Sequence, residues 1–156
     1  MTSLLSRAER IARLHAEAAT RILIIDGAMG TMVQEHRLTE ADYRGERFAD
    51  WTHDVKGNND LLILTRPDII GGIHAAYVDA GADIVETSTF SSTRVAQGDY
   101  GTHEIIADLN ISAARVAREA GALGHRPGGG PLTRRRGGDR RQARGVRDGA
   151  RVAGSG

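Results

Sequence analysis

The chain has 156 residues, of which 40% are hydrophobic and 26% charged, and it contains no cysteine. This length allows one domain with a modest core, and the lack of cysteine excludes disulfides and thiolate metal sites within these residues. The net charge of +1 hides a division, because residues 1–120 sum to −6 whereas residues 121–156 carry nine arginines and two aspartates and sum to +7. No apolar run approaches the roughly 18 residues of a membrane span, and the charged N-terminus does not resemble a signal peptide. We therefore expect a cytoplasmic protein with no membrane partner.

Residues 1–21 are predicted to form an N-terminal helical segment, with the helix itself over residues 3–19. Apolar side chains recur at helical spacing and define one face, while arginines and glutamates occupy the other. The apolar face consists of Leu4, Ala8, Ile11, Ala12 and Ala18.

The next segment runs from a short apolar stretch, residues 22–25, into Asp26 and a glycine-spaced turn. This pattern predicts a parallel strand over residues 22–26 that is buried on both faces and brings the Asp26 carboxylate to the edge of a sheet. Gly27 and Gly30 would let backbone N–H groups approach a small anion. A carboxylate beside free amides suits an α-amino acid, although Asp26 could also simply cap the turn. A short helix is predicted for residues 31–35.

Residues 37–60 are polar and rich in acidic and glycine residues, and we interpret them as a long ordered loop. Loops of this length are usually functional or disordered, and the aromatic side chains here, Tyr43, Phe48 and Trp51, favour order. Trp51 could shape a pocket or anchor the loop, and we favour the anchor.

A helix is then predicted from a capping Thr65 and Pro67 to Gly81, the position where a left-handed residue ends a helix. Its buried stripe is predicted to contain Ile69, Ile70, Ile73, Ala76 and Tyr77. Residues 82–87 read as a second strand, parallel to the first. A last helix is predicted over residues 102–120, ending at Gly121 and burying Ile105, Leu109, Ala113, Val116 and Ala117.

Three motifs together resemble the start of the homocysteine-binding domain of the cobalamin-dependent methionine synthases. They are the turn Asp26-Gly27-Ala28-Met29-Gly30-Thr31, the loop from Phe48-Ala49-Asp50-Trp51 to Lys56-Gly57-Asn58-Asn59-Asp60, and Gly81-Ala82-Asp83-Ile84-Val85-Glu86-Thr87-Ser88-Thr89-Phe90. The resemblance covers about residues 20–120. It implies an α/β fold, the start of a (β/α)₈ TIM barrel of which residues 22–120 would supply about two βα units.

The resemblance also implies a chemistry, the transfer of a methyl group from methylcobalamin, recharged from 5-methyltetrahydrofolate, to the thiol of homocysteine. By resemblance Asp26 would hold the homocysteine ammonium and the amides of Gly27 and Ala28 its carboxylate. Glu86, Thr87 and Thr89 would line the pocket. The family uses zinc, held by cysteines of late strands, and cobalamin and folate modules. We expect neither zinc nor cobalamin to bind this chain, which we interpret as an inactive N-terminal fragment without catalytic or metal residues of its own.

Several alternatives stay open at this stage. Glu86 could pair with a buried cation, and the two threonines could serve only as strand formers. The six histidines are scattered, and His74 is expected at the surface of its helix.

The Gly/Arg-rich residues 121–156 are expected to be disordered or to result from a shifted reading frame. A non-enzymatic protein that binds nucleic acid through this tail is an alternative function, which we consider less favoured because the tail has no aromatic residues for base stacking. A homocysteine methyltransferase with another donor, such as betaine or S-methylmethionine, is a second alternative.

Overall fold

A computed structural model describes residues 6–124, which belong to one compact unit, and the predicted basic tail beyond Gly124 lies outside the described residues. This part of the chain is mostly helical. The helices are α1 (Arg7–Ala18), α2 (Met29–Glu35), α3 (Glu40–Arg44), α4 (Leu62–Thr65), α5 (Pro67–Ala80), α6 (Arg94–Gly98) and α7 (Ile106–Gly124), with 3₁₀ turns at Asn59–Leu61 and His103–Ile105.

Helix α1 begins at a capping box. The Ser6 hydroxyl accepts a hydrogen bond from the Glu9 N–H, and the Glu9 carboxylate accepts one from the Ser6 N–H. Residues 3–5 of the predicted helix, with Leu4 of its predicted apolar face, lie outside the described residues. The described part of that face is not buried. None of its residues is buried, and Ile11 is 44% exposed.

The core is built mainly between α5 and α7. Ile69, Ile70 and Ile73 of α5 are buried as predicted, and α7 buries Leu109 and Ala113. The full buried cluster is Val33, Tyr43, Phe48, Val55, Leu61, Leu62, Ile63, Ile69, Ile70, Ile73, Leu109 and Ala113. The long loop therefore contributes to the core, and it is ordered by short helical segments rather than being one uninterrupted loop.

Several predicted boundaries are corrected by the structure. Thr65 ends α4 instead of capping α5, which follows Arg66 and starts at Pro67. Gly81 ends α5 in the left-handed region, with φ of 108°, as predicted. Helix α7 continues through Gly121 to Gly124, because one glycine costs a helix only about 1 kcal/mol and Ala and Leu follow it.

The two predicted strands, residues 22–26 and 82–87, meet in a single parallel bridge between Ile25 and Ile84, and the described residues contain no longer strand. The Asp26 N–H donates to the Ile84 carbonyl at 3.0 Å, and the N–H groups of Asp83 and Ile84 both donate to the Ile24 carbonyl. A segment that precedes α5 in the chain and a segment that follows it are thus paired in parallel. Whether it begins a (β/α)₈ barrel stays a prediction.

The prediction that residues 22–26 are buried on both faces is wrong. Ile22, Ile24 and Ile25 are 88%, 50% and 55% exposed. A strand gains its burial from neighbours on either side, and in the described part only residues 83–84 pair with this segment.

The Asp83 side chain both restricts the length of the parallel pairing and stabilises the two paired segments. Its Oδ2 accepts a hydrogen bond from the Ile24 N–H at 3.0 Å, so a side chain takes a donor that a longer ladder would use. Both its oxygens also accept from the Arg21 guanidinium, at 2.9 and 2.6 Å. The hydrogen bonds from Arg21 hold the pKa of Asp83 below its ordinary value.

Within residues 6–124 no single helix is long and apolar enough to cross a membrane. The consecutive helical segments Asn59–Thr65 and Pro67–Ala80 reach that length and composition only together, and they are bent by 109° relative to each other.

We predict that Asp83→Asn lowers the thermal midpoint of the chain by about 2–4 °C at pH 7, because the bidentate pair with the partly exposed Arg21 is lost. The pKa of Asp83 is lowered in the folded state, so its stabilisation is present above the ordinary aspartate pKa and disappears as the pH falls through the folded value. The difference between wild type and Asp83→Asn should therefore shrink progressively as the pH is lowered below the ordinary aspartate pKa. Circular dichroism melts across this pH range measure it.

Asp79→Asn, at an exposed position of α5, is the matched control and should leave the midpoint unchanged at every pH. Equal midpoints of wild type and Asp83→Asn at pH 7 would show that the pair contributes no stability.

Candidate functional site

One cavity of about 480 Å³ is lined by all three motifs. Its walls are residues 26–30 after the first bridge segment, residues 57–60 of the long loop, residues 86–91 after the second bridge segment, and Tyr100. All six predicted site residues, Asp26, Gly27, Ala28, Glu86, Thr87 and Thr89, belong to this lining. The structure thus brings them together, while their roles toward a ligand stay predictions.

Asp26 lies at the junction of the bridge and the cavity and is only 8% exposed. Its Oδ1 accepts a hydrogen bond from the Glu86 N–H at 2.7 Å, and its Oδ2 lies 3.2 Å from His74 Nδ1. A carboxylate can accept about four hydrogen bonds, so these two leave further acceptor capacity. No arginine pairs with Asp26 in the described part of the chain.

The turn after Asp26 presents free backbone donors. Across residues 6–124 no atom accepts a hydrogen bond from the N–H groups of Gly27 or Ala28. Ala28 adopts a left-handed conformation with φ of 48°, which costs an alanine roughly 1 kcal/mol, and then α2 begins. A β-carbon built on Gly27 would have no heavy atom within 4 Å, so the space beside it is open.

Residues 86–90 form the opposite wall. Glu86 is exposed and makes no ion pair among the residues described, so the structure gives no support to its pairing with a buried cation. The hydroxyls of Thr87 and Thr89 hydrogen-bond to each other at 2.8 Å. Neither threonine lies in a strand, so the strand-former interpretation does not explain them.

Asp60 fastens this wall to the long loop, a contact that the sequence did not reveal. Its Oδ2 accepts hydrogen bonds from the Ser91 N–H at 2.7 Å and the Ser92 hydroxyl at 2.8 Å, and the residue is 5% exposed. Burial raises the pKa of the Asp60 carboxyl above its ordinary value, although these two bonds oppose the shift.

Neighbouring polar side chains hold the same loop in place. Asn58 and Gln97 exchange two amide hydrogen bonds, at 2.8 and 3.1 Å, and the Thr102 hydroxyl donates to Gln97 Oε1 at 2.6 Å. Trp51 packs against the core and its Nε1 donates to the Tyr100 carbonyl at 2.9 Å. Trp51 does not line the cavity and therefore anchors the loop, as predicted.

His74 was expected at the surface, and that prediction is wrong. It is fully buried on α5, in the stripe with Ile70 and Ile73, while the predicted stripe member Ala76 is exposed. The spacing contained the signal, because position 74 follows Ile70 by one helical turn and precedes Tyr77 by three residues. The polarity of histidine concealed it.

The profile of the homocysteine S-methyltransferase family matches residues 23–155. Since this match covers more than half of the chain, the chain belongs to the homocysteine S-methyltransferase family. The family is one of methyltransferases that act on homocysteine.

The residues of this chain do not fit the zinc ion that the family resemblance implies. The sequence contains no cysteine, and residues 6–124 hold no group of three or more histidine, aspartate or glutamate side chains that could bind a metal.

We predict that Asp60→Asn becomes progressively more stable than wild type as the pH rises from 3 to 7. The raised pKa of Asp60 means that the folded state disfavours the ionised carboxylate, so wild type loses stability as the pH rises through the folded value. Both hydrogen bonds go to one oxygen, which the asparagine carbonyl can replace. Thermal melts at several pH values measure the difference.

Asp60→Ala is the comparison, because it leaves the Ser91 N–H and the Ser92 hydroxyl without their acceptor. It should lose roughly 1–3 kcal/mol at all pH values. If Asp60→Asn were as unstable as Asp60→Ala at pH 7, the ionised carboxylate would be required and the prediction would be wrong.

Proposed function

We propose that the cavity binds the amino-acid end of homocysteine, as the methyl acceptor of a cobalamin-dependent methionine synthase. The observation that carries this proposal is the juxtaposition of unpaired N–H groups at Gly27 and Ala28 with the carboxylates of Asp26 and Glu86 around one cavity. Family membership supports homocysteine as the amino acid.

The proposed binding mode follows from the donors and acceptors. The substrate carboxylate accepts from the N–H groups of Gly27 and Ala28, as anions do at free backbone amides. The substrate ammonium donates to the remaining acceptor positions of Asp26, while Glu86 adds a second negative charge. These residues bind and orient the α-carbon end, and the proposal assigns them no step at the sulfur.

The methyl donor is proposed to be methylcobalamin, recharged from 5-methyltetrahydrofolate on other modules. The long loop from Glu40 to Asp60, through its resemblance to the cobalamin-dependent enzymes, favours this branch over the enzymes that use betaine or S-methylmethionine. The other proposed partners are accordingly the cobalamin and folate modules.

We predict weak binding of L-homocysteine to the full chain, with a Kd of about 1 mM. Amide resonances of residues 27–31 and 86–89 should shift in ¹H–¹⁵N NMR titrations under reducing conditions. 3-Mercaptopropylamine lacks the carboxylate and 4-mercaptobutanoate lacks the ammonium, so each should bind at least about tenfold more weakly. Binding of either analogue as tightly as homocysteine would contradict the proposed mode.

Gly27→Ala tests the turn directly. A methyl group there meets no protein atom, so the fold should be unchanged, but it occupies the space beside the free amides and should weaken homocysteine binding about tenfold. Gly72→Ala on α5, where a β-carbon also meets nothing within 4 Å, is the matched control and should bind normally. Equal affinities of the two variants would exclude the turn from the site.

A further inference from the structure

His74 and Asp26 form a buried pair behind the cavity wall. His74 is fully buried in the apolar stripe of α5, its Nδ1 lies 3.2 Å from Asp26 Oδ2, and it does not line the cavity. It therefore does not contact a ligand in the cavity, and the one hydrogen bond of its side chain within the described residues is to Asp26, which lines the cavity.

The acceptor fixes the tautomer of His74. An aspartate carboxylate only accepts hydrogen bonds, so the proton of the pair lies on His74 Nδ1. The other ring nitrogen, Nε2, is buried and has no hydrogen-bond partner in the described part of the chain. Burying a ring nitrogen without a hydrogen-bond partner costs free energy. A leucine at this position of the apolar stripe would not have that cost.

The gain that offsets this cost is the orientation of Asp26. The terminal torsion of an aspartate is broad, so a single hydrogen bond leaves the carboxylate free to rotate. Here the Glu86 N–H holds Oδ1 and His74 holds Oδ2, from two separate segments of the chain. Bonds to both oxygens fix the plane of the carboxylate and the direction of its remaining lone pairs.

We propose that His74 is a positioning residue, which orients the Asp26 carboxylate for the ammonium group of an α-amino acid. This inference rests on the proposed function. It goes beyond it by assigning the recognition of the ammonium group to a buried pair, of which only Asp26 reaches the cavity. Preorganisation of this kind gives affinity without a contact between His74 and the ligand.

The test compares His74→Leu with His74→Asn in the full chain. Leucine is similar in size and has no donor, whereas the asparagine amide places an N–H near the position of Nδ1 and should restore the bond to Asp26. We expect His74→Leu to bind homocysteine about tenfold more weakly than wild type and His74→Asn to recover to within about threefold. 4-Mercaptobutanoate, which lacks the ammonium, should bind all three proteins equally.

A merely structural histidine would give a different result. Loss of affinity for both ligands in both variants would show that His74 only supports the fold and would overturn the inference. Leucine and asparagine variants that both bind homocysteine like wild type would overturn it as well.

A measurement on the free chain separates this inference from the proposed function. ¹⁵N-edited NMR of the His74 ring should show the proton on Nδ1, and Asp26→Asn should alter that signal. A proton on Nε2 alone would overturn the inference even if homocysteine binds, or if the leucine variant does not fold. Absence of homocysteine binding by wild type, with the Nδ1 proton present, would refute the proposed function and its ammonium site while leaving the buried pair established.

Discussion

The Asp26 carboxylate is the constraint on which the site depends. It lies just after the bridge residue Ile25 and accepts hydrogen bonds from the Glu86 N–H and from His74. The first bond joins the ends of the two bridge segments, and the second joins them to α5. Among residues 6–124, no other hydrogen bond joins residues 26–30 to residues 86–91.

Carboxylates also connect distant segments elsewhere, and two of them lie close to the bridge or the cavity. Asp83 accepts a hydrogen bond from the Ile24 N–H beside the bridge. Asp60 accepts one from the Ser91 N–H in the cavity wall. In each case an acidic side chain pairs with a backbone N–H of a distant segment. A sheet would supply such bonds through its ladder, but here the ladder is reduced to one bridge, so side-chain acceptors hold the segments in register.

The helices could be predicted from the sequence because their signals are local. Ile69, Ile70 and Ile73 recur at helical spacing, and Gly81 marks the end of α5. Strand length could not be predicted, because it depends on neighbours that an apolar run does not specify. This is why Ile22, Ile24 and Ile25 were expected to be buried and are instead exposed.

The candidate site could be predicted only in part, because some of its signals are local in the sequence and others are not. The motifs identified residues that line the cavity, because acidic and glycine residues that follow an apolar run can be recognised in the sequence. The partners that hold the site could not be predicted, because they are distant in sequence. His74 lies 48 residues from Asp26, and Ser91 lies 31 residues from Asp60. A buried polar residue is identified by its partner, and no local pattern reveals which partner folding will supply.

The balance of charge around the cavity supports the proposal that its ligand is an α-amino acid. Asp26 and Glu86 would repel a phosphate or a simple carboxylate, even though the N–H groups of Gly27 and Ala28 are free to bind one. A simple amine would satisfy the carboxylates and leave those N–H groups unpaired, which is costly where water is displaced. A molecule with an ammonium and a carboxylate on the same carbon atom, as in an α-amino acid, satisfies both sets of groups. The N–H donors and the carboxylates that together favour an α-amino acid therefore each disfavour a ligand that lacks one of its two charged groups.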